Sequence, residues 1–324
     1  MPPAVFLWAV VFGVVHIKKE KILGPFFCLL AAVVWGLSFV AQSEGAQIGT
    51  FTFNALRMLL GGTVLIPFAF ISVMNDKKRL PDTEEKKIPV KKILIGSLCC
   101  AIPFFIGCNL QQHAFFLGLE AGKVGFITAL YMVLVPIAGI FLKKKLRFNI
   151  WIGVVLGVIG LYIISVPAGG FSVGSGELIT ICGAFAFAAH ILVIDHFCNK
   201  VNNVALSCVQ YLIAGAVSAI FMFVFEDPNI EAIKGAGIEI AYAGIMSCGV
   251  AFTAQIFGQK YSDPTVAALL LCLESVFAVL FGWILLKQAL TSRELIGCVI
   301  MFIAILFTQI PTEIFLKPFK RKAK

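Results

Sequence analysis

The sequence predicts an all-α polytopic membrane protein with ten transmembrane helices, built as two inverted repeats of five. Three observations lead to this fold class. The first is composition, because 60% of the 324 residues are hydrophobic and only 13% are charged, which leaves too little polar surface for a soluble globule of this size. The second is a series of ten apolar runs. The third is self-similarity between the two halves of the chain.

Each apolar run is long enough to cross the hydrocarbon core of a bilayer, which takes roughly 20 helical residues. A segment in lipid is helical because its backbone must satisfy its own hydrogen bonds. Little chain remains between the runs, so we expect no soluble domain. The predicted spans are residues 22–42, 51–74, 93–116, 122–142, 148–166, 177–197, 203–225, 238–258, 264–286 and 294–311.

The basic residues lie mainly in the short loops between these spans. If Lys18, Lys19 and Lys21 face the cytoplasm, alternating crossings place most of the 26 Lys and Arg residues on that side. This positive-inside pattern predicts a multi-pass protein of the cell membrane with both ends of the ten-helix unit in the cytoplasm. It also accounts for the net charge of +9 without nucleic acid as a partner.

Four segments follow from this reading. Residues 1–21 form an apolar and basic segment that could be an interfacial anchor, an extra span or translated sequence ahead of the natural start. Residues 22–166 form the first repeat, residues 177–311 the second, inverted repeat, and residues 312–324 a basic cytoplasmic tail. The ten cysteines fall within or at the edges of spans without a CxxC pair, so we expect no disulfide framework, metal site or cofactor.

The repeats align through their spans. GPFFCLLAAV, from Gly24, matches GELITICGAF, from Gly176, and the third spans match Phe104 with Phe252. FTFNALRMLLGG matches VALSCVQYLIAG, which pairs Arg57 with Gln210, and TALYMVLVPIAGIFLKK matches LCLESVFAVLFGWILLK, which pairs Tyr131 with Glu274. Five crossings is an odd number, so the second repeat must be inverted relative to the first. Inverted repeats place a cavity at mid-depth and are typical of alternating-access transporters.

These stretches resemble the EamA-type branch of the drug/metabolite transporter superfamily. The resemblance lies in VVWGLSFV of the first span, FNALRMLLGG of the second, AGKVGFITALYMVLVPIAGIF of the fourth, and DPTVAALLLCLESVFAVLFGWILLKQALTSRELIGCVI of the ninth and tenth, and it covers Gly24 to Gln309. It implies export or exchange of small metabolites such as amino acids, held in a central cavity between the halves. The family commonly has proline after the ninth-span glutamate, where this chain has Ser275.

Glu274 is the most informative candidate, because an ionised group near mid-bilayer must be paired, hydrated or protonated. It could bind a substrate amine, carry a coupling proton, or stabilise a broken helix by hydrogen bonds. Tyr131 is its repeat mate and is expected at the same depth, either on the cavity wall or as a packing residue with one hydrogen bond.

Five further polar or cavity-facing candidates lie in the first three spans. Arg57 could bind a substrate carboxylate, pair with Glu274 or hold the halves together, and Gln111 could line the outer vestibule or bond between helices. Pro103 interrupts the hydrogen bonding of its helix and therefore points to the cavity together with Phe104. Trp35 offers a flat face for stacking or packing.

His190, in the sixth span, could face the cavity. The function classes that remain are a secondary transporter, which explains all these features together, and a channel or lipid flippase of the same fold. We expect no enzyme, because no HExxH, paired aspartates or Ser/His pair occurs at usable spacing. The expected partners are a small-molecule metabolite, the lipid bilayer and, if Glu274 titrates, a coupling proton. The repeated glycines from Gly153 to Gly160 favour close packing within one chain, so we expect a monomer or weak dimer.

Overall fold

A computed structural model of the chain describes residues 20–79, 90–143, 148–165, 174–286 and 291–309. The first repeat contains five helices: α1 (Glu20–Glu44), α2 (Thr50–Arg79), α3 (Val90–Phe116), α4 (Ala121–Phe141) and α5 (Phe148–Ser165). The second contains α6 (Ser175–Phe197), α7 (Asn203–Phe225), α8 (Gly237–Tyr261), α9 (Pro264–Leu271 and Leu273–Leu286) and α10 (Ser292–Gln309). The predicted N-terminal segment before residue 20, the loop at 80–89 and the tail after residue 309 lie outside the described residues.

The described helices correspond to the ten predicted spans. Eight of them are long and apolar enough to cross a membrane. The other two, α5 and α10, have 18 helical residues each, or about 27 Å at 1.5 Å per residue. Within the described part of the chain the secondary structure is helical throughout, with no strand. The all-α fold with two five-helix repeats is thus confirmed.

Helices α2 and α7 are repeat mates and run antiparallel against each other. At one end, Glu226 just after α7 accepts hydrogen bonds from the backbone N–H groups of Phe51 (2.9 Å) and Thr52 (2.8 Å) at the start of α2. At the other end, Asn202, the N-cap of α7, donates to Ser72 Oγ (2.8 Å) and Asp76 Oδ2 (2.6 Å) near the end of α2. The start of each helix therefore lies beside the end of its mate.

Helices α5 and α10, which are also mates, show the same antiparallel arrangement. Asn149 Nδ2 at the start of α5 donates to the carbonyl of Phe307 near the end of α10 (3.1 Å). Arg293 Nε at the start of α10 donates to the carbonyl of Ile163 near the end of α5 (3.1 Å). In both pairs the two equivalent helices run in opposite directions, so the repeats are inverted, as the odd number of crossings predicts.

The remaining helix contacts obey the same pseudo-twofold symmetry. Helix α3 packs on α6, and in the same way their repeat mates, α8 and α1, pack on each other. Helix α1 contacts α9, and the repeat mates of these two, α6 and α4, are also in contact. Small residues let the α2–α7 pair approach closely. A Cβ atom on Gly62 would lie 2.8 Å from the Leu212 side chain, and one on its mate Gly215 would lie 2.9 Å from Leu59.

Three spans depart from the continuous α-helices that the sequence predicts. Helix α4 is divided into Ala121–Thr128 and Tyr131–Phe141, and α9 is divided at Cys272. In α8, residues Tyr242–Phe252 form a π-helix, a rare conformation that is frequent at functional sites. All three departures lie next to the cavity described below.

Candidate functional site: a central cavity between the repeats

The interruptions in α4 and α9 are equivalent under the repeat alignment. The turn at Ala129 and Leu130 precedes Tyr131, and the turn at Cys272 precedes Glu274. The two interruptions are also in contact, since the Cys272 thiol donates to the carbonyl of Ala129 (3.4 Å). Many transporters have helices that are broken at mid-depth, and the break exposes backbone groups and helix ends to the substrate.

Tyr131 and Glu274 meet across this pseudo-twofold axis. The Tyr131 hydroxyl donates to Glu274 Oε1 (3.3 Å), and the residues are 4% and 5% exposed. The carboxyl group therefore lies inside the bundle and away from lipid, as expected for an intramembrane acid. Glu274 is also in the first turn of the second segment of α9, where the helix dipole favours negative charge.

A cavity of about 40 Å³ lies beside this pair, between the two repeats. It is lined by six of the eight predicted site residues, which are Trp35, Arg57, Gln111, Tyr131, His190 and Glu274. The other two, Pro103 and Phe104, are absent from the lining. Phe104 is fully buried and packs edge-on against the lining residue Phe252, with ring centroids 4.7 Å apart. It lies one layer behind the wall.

Arg57 supplies a buried positive charge to the cavity. Its side chain is 1% exposed, its Nε donates to Asn54 Oδ1 (2.7 Å), and its guanidinium carbon lies 5.7 Å from the centre of the Phe53 ring. Its Nη2 has no hydrogen-bond partner among the described residues. Asn54 is held in turn, since its Nδ2 donates to Asn109 Oδ1 (2.9 Å).

Neither charged residue of the cavity is neutralised by another described side chain. Arg57 and Glu274 form no ion pair with each other, and neither forms one with a third described residue. The ion pair found between described residues joins Lys123 and Glu177, near the starts of α4 and α6. An arginine and an acid thus line one cavity, and neither forms an ion pair with a described side chain. A buried charge without a partner costs several kcal/mol of folding free energy.

Neutral polar atoms of the lining are also left without partners. His190 Nε2 contacts Gln210 Oε1 (3.1 Å), and Gln111 Nε2 donates to Thr128 Oγ1 (3.1 Å). Both interactions orient their side chains at the wall. Besides Arg57 Nη2, four buried atoms of lining residues have no hydrogen-bond partner among the described residues: Trp35 Nε1, Gln42 Oε1, His190 Nδ1 and Gln255 Oε1. They include donors and acceptors.

Nine lining residues were not among the predicted candidates: Phe39, Gln42, Thr128, Phe187, Ile191, Ser247, Phe252, Gln255 and Leu271. The repeat register carries a signal that would have found several of them. The spacing that matches Gly24 with Gly176 also matches Trp35 with Phe187, and the spacing that matches Tyr131 with Glu274 also matches Thr128 with Leu271. Ser247 and Phe252 reach the cavity from the π-helical part of α8, which nothing in the residue pattern marked.

Comparison with known proteins agrees with this architecture. A family model described as the EamA-like transporter family matches residues 22–166 and again residues 174–310. An uncharacterized transporter of Archaeoglobus fulgidus is 27% identical over 87% of this chain and 84% of its own length. The uncharacterized transporter YdfC of Bacillus subtilis is 24% identical over 89% of this chain and 93% of its own.

One solved crystal structure has the same fold, with a TM-score of 0.69 and 20% sequence identity over 88% of this chain and 95% of the other. The family match covers both repeats and nearly the whole described chain. The inverted five-helix repeats and the central cavity between them are the architecture of a membrane transporter. The chain therefore belongs to the EamA-like transporter family, within the drug/metabolite transporter superfamily.

Proposed function

We propose that the protein is a secondary transporter that exports small zwitterionic metabolites, amino acids or related compounds, across the cell membrane without ATP and without chemical change of the substrate. Both ends of the ten-helix unit lie in the cytoplasm in this proposal. The observation that carries it is the pair of unpaired opposite charges, Arg57 and Glu274, on the wall of one cavity.

A zwitterion satisfies both charges at once. Its carboxylate would accept hydrogen bonds from Arg57 Nη2, and its ammonium group would donate to Glu274. A substrate with one charge would leave the opposite wall charge desolvated and unpaired, which disfavours its binding. The aromatic residues Trp35 and Phe252, whose ring centroids are 4.5 Å apart, would contact the rest of the substrate.

The inverted repeats supply the transport cycle. Two inverted halves have two equivalent arrangements, and exchanging them moves the opening of the cavity from one side of the membrane to the other. Glu274 has a second role in this proposal, because it can hold a proton when no ammonium group occupies the cavity. Export would then be coupled to proton movement in the opposite direction.

The test uses purified protein in liposomes loaded with unlabelled amino acids, with uptake of a radiolabelled amino acid mixture as the signal. A carrier gives uptake that saturates and that is accelerated by internal substrate. Uptake without acceleration would indicate a channel, and movement of a fluorescent phospholipid between leaflets would indicate a flippase. Either result, together with no counterflow of any zwitterion, would overturn the proposal.

Coupling to a proton is tested in the same vesicles. An imposed pH gradient should change the initial rate for wild-type protein and leave the residual rate of Glu274→Gln unchanged. Insensitivity of the wild-type protein to the gradient would remove the proton from the cycle and leave exchange or facilitated diffusion.

A further inference from the structure

A series of hydrogen bonds leads from Arg57 at the cavity wall into the interior of the bundle. Arg57 Nε donates to Asn54 Oδ1 (2.7 Å), and Asn54 Nδ2 donates to Asn109 Oδ1 (2.9 Å). Asn109 Nδ2 continues the series to Ser218 Oγ (3.3 Å). We call these four residues the Arg57 network. They are all buried and come from α2, α3 and α7, and Arg57 is the member that lines the cavity.

The amide of Asn54 has one orientation that satisfies its neighbours. Its Nδ2 donates to two acceptors of α3, the carbonyl of Cys108 (3.1 Å) and Oδ1 of Asn109 (2.9 Å). An amide nitrogen has two protons to donate, and both are used here. A rotated amide would place its oxygen against these two acceptors and its nitrogen against the guanidinium. Helix α3 therefore turns Asn54 Oδ1 towards Arg57.

Asn109 is oriented in the same way. Its Nδ2 donates to the carbonyl of Phe105, one turn earlier in α3 (2.8 Å), and to Ser218 Oγ (3.3 Å). Its Oδ1 is thereby left as the acceptor for Asn54. A buried polar network whose members are satisfied is rigid and specifies one arrangement. Asn109 thus determines how Asn54 is presented to the guanidinium.

The network fixes the direction of the Arg57 side chain. A guanidinium is planar and rigid, so a contact that fixes Nε also restricts the directions of the two Nη groups. Asn54 occupies Nε, and Nη2 is left without a hydrogen-bond partner among the described residues. Binding a carboxylate depends on the geometry of the guanidinium. A side chain that is already oriented loses less freedom on binding, which raises affinity.

The repeat register links the network to the arginine. The spacings that match Arg57 with Gln210 and Phe104 with Phe252 also give the mates of the other members. The mates of Asn54, Asn109 and Ser218 are Ser207, Phe257 and Leu65. Two of these three side chains have no polar atom, so the same series of hydrogen bonds cannot form around Gln210. Packing inherited from a common ancestor would be expected in both halves, whereas this network accompanies the guanidinium.

We propose that Asn109 is a positioning residue for recognition of the substrate carboxylate. It acts from behind the cavity wall: it orients Asn54, and Asn54 orients the guanidinium of Arg57 towards the cavity. This inference rests on the proposed function, in which Arg57 binds the carboxylate of a zwitterion. It adds that selectivity for a carboxylate depends on a residue outside the lining.

The experiment compares substrates with and without the carboxylate charge. Counterflow of the radiolabelled amino acid mixture is measured with purified full-length protein in liposomes. The competitors are a mixture of neutral amino acids and the matching mixture of their amides, and each gives a half-inhibitory concentration. Asn109→Leu removes the amide at nearly constant volume. The matched control is Asn149→Leu, the same substitution at a buried amide that joins α5 to α10 and is not part of the lining.

We expect Asn109→Leu to raise the half-inhibitory concentration of the amino acids about tenfold, the factor for one hydrogen bond to a charged group. The value for the amides and the maximal rate should stay unchanged, and Asn149→Leu should alter neither value. In protein that already carries Arg57→Gln, adding Asn109→Leu should have no further effect, because residues that act through one another are not additive. If Asn109→Leu does not fold, Asn109→Ala removes the same amide without a bulky replacement.

Three results would overturn the inference and leave the proposed function intact. The first is an unchanged preference for amino acids over amides in Asn109→Leu. The second is an equal loss for acids and amides, which indicates a purely structural role. The third is a further loss on the Arg57→Gln background. A wild-type protein that shows no counterflow, or no preference for the acids, would overturn the proposed function and this inference together.

Discussion

The hydroxyl of Tyr131 donates to Oε1 of Glu274 over 3.3 Å, and the two residues hold equivalent positions in the two repeats. One ancestral position has thus become a hydrogen-bond donor in one half and an acid in the other. The contact therefore joins the two repeats at the pseudo-twofold axis.

Replacing the acid tests its role directly. We expect Glu274→Gln to fold and to lose transport at least a hundredfold. The amide keeps the shape and the Tyr131 contact but removes the charge, and taking away one partner of a buried ion pair costs about 3–5 kcal/mol. Counterflow in liposomes measures the loss, and size-exclusion chromatography checks the fold. Tyr131→Phe serves as the comparison, with a smaller loss. Wild-type rates in Glu274→Gln would remove the acid from the mechanism.

The guanidinium is expected to act on affinity. Arg57→Gln should raise the KM for substrates with a carboxylate by roughly 10- to 100-fold, since a hydrogen bond to a charged group is worth about 1.5–3 kcal/mol. A substrate amide, in which the carboxylate is neutral, should be affected much less. Equal effects on the acid and its amide would show that Arg57 does not contact the carboxylate.

Close packing of α2 on α7 is expected to tolerate no added methyl group at Gly62. Its Cβ would lie 2.8 Å from Leu212, so we expect Gly62→Ala to destabilise the protein by about 1–3 kcal/mol, as overpacking does elsewhere. Thermal unfolding in detergent measures this. The control is Gly122→Ala, because a Cβ there meets nothing within 4 Å. Equal midpoints for the two variants would show that the interface can move apart at no cost.

The contact between Glu226 and the start of α2 is expected to contribute to stability. Glu226 accepts three hydrogen bonds, from Phe51 N, Thr52 N and Thr52 Oγ1, in the manner of a helix cap. We expect Glu226→Ala to lower the unfolding free energy by about 1–2 kcal/mol. Asp227→Ala is the matched control, because this neighbouring acid is exposed. A loss of the same size in both variants would assign the effect to surface charge.

Much of this fold could be predicted from residue patterns. The lengths of the apolar runs predict the spans, because a backbone in lipid must form its hydrogen bonds within its own helix. The match of Arg57 with Gln210 and of Tyr131 with Glu274 predicts the repeats, and five crossings in each repeat predict their inversion. Six of the eight candidate site residues line the cavity, because a polar group in a span has few places to lie other than the interior.

Other features depend on tertiary contacts that one sequence does not encode in an obvious way. A proline frees a carbonyl, which predicts Pro103 and Phe104 at the cavity, but neither residue lines it. The rotation of α3 places Phe104 behind Phe252. The division of α9 at Cys272 has no proline or glycine at the break, and the two glycines in the π-helix of α8, Gly244 and Gly249, do not by themselves predict that conformation. Nothing in the sequence around Glu226 predicts its contact with the start of α2, which depends on the packing of α7 against that helix.

The pairing of Arg57 with Gln210 makes the two halves of the molecule unequal in charge. If both halves carried the guanidinium, or neither did, the inward-open and outward-open forms would hold an anionic group equally well. With the guanidinium in one half only of the described cavity, the proposed carrier would have two loaded forms of different energy. Such a difference would leave the final concentration ratio unchanged, because the gradients alone determine it, but it would make the maximal velocities of influx and efflux unequal.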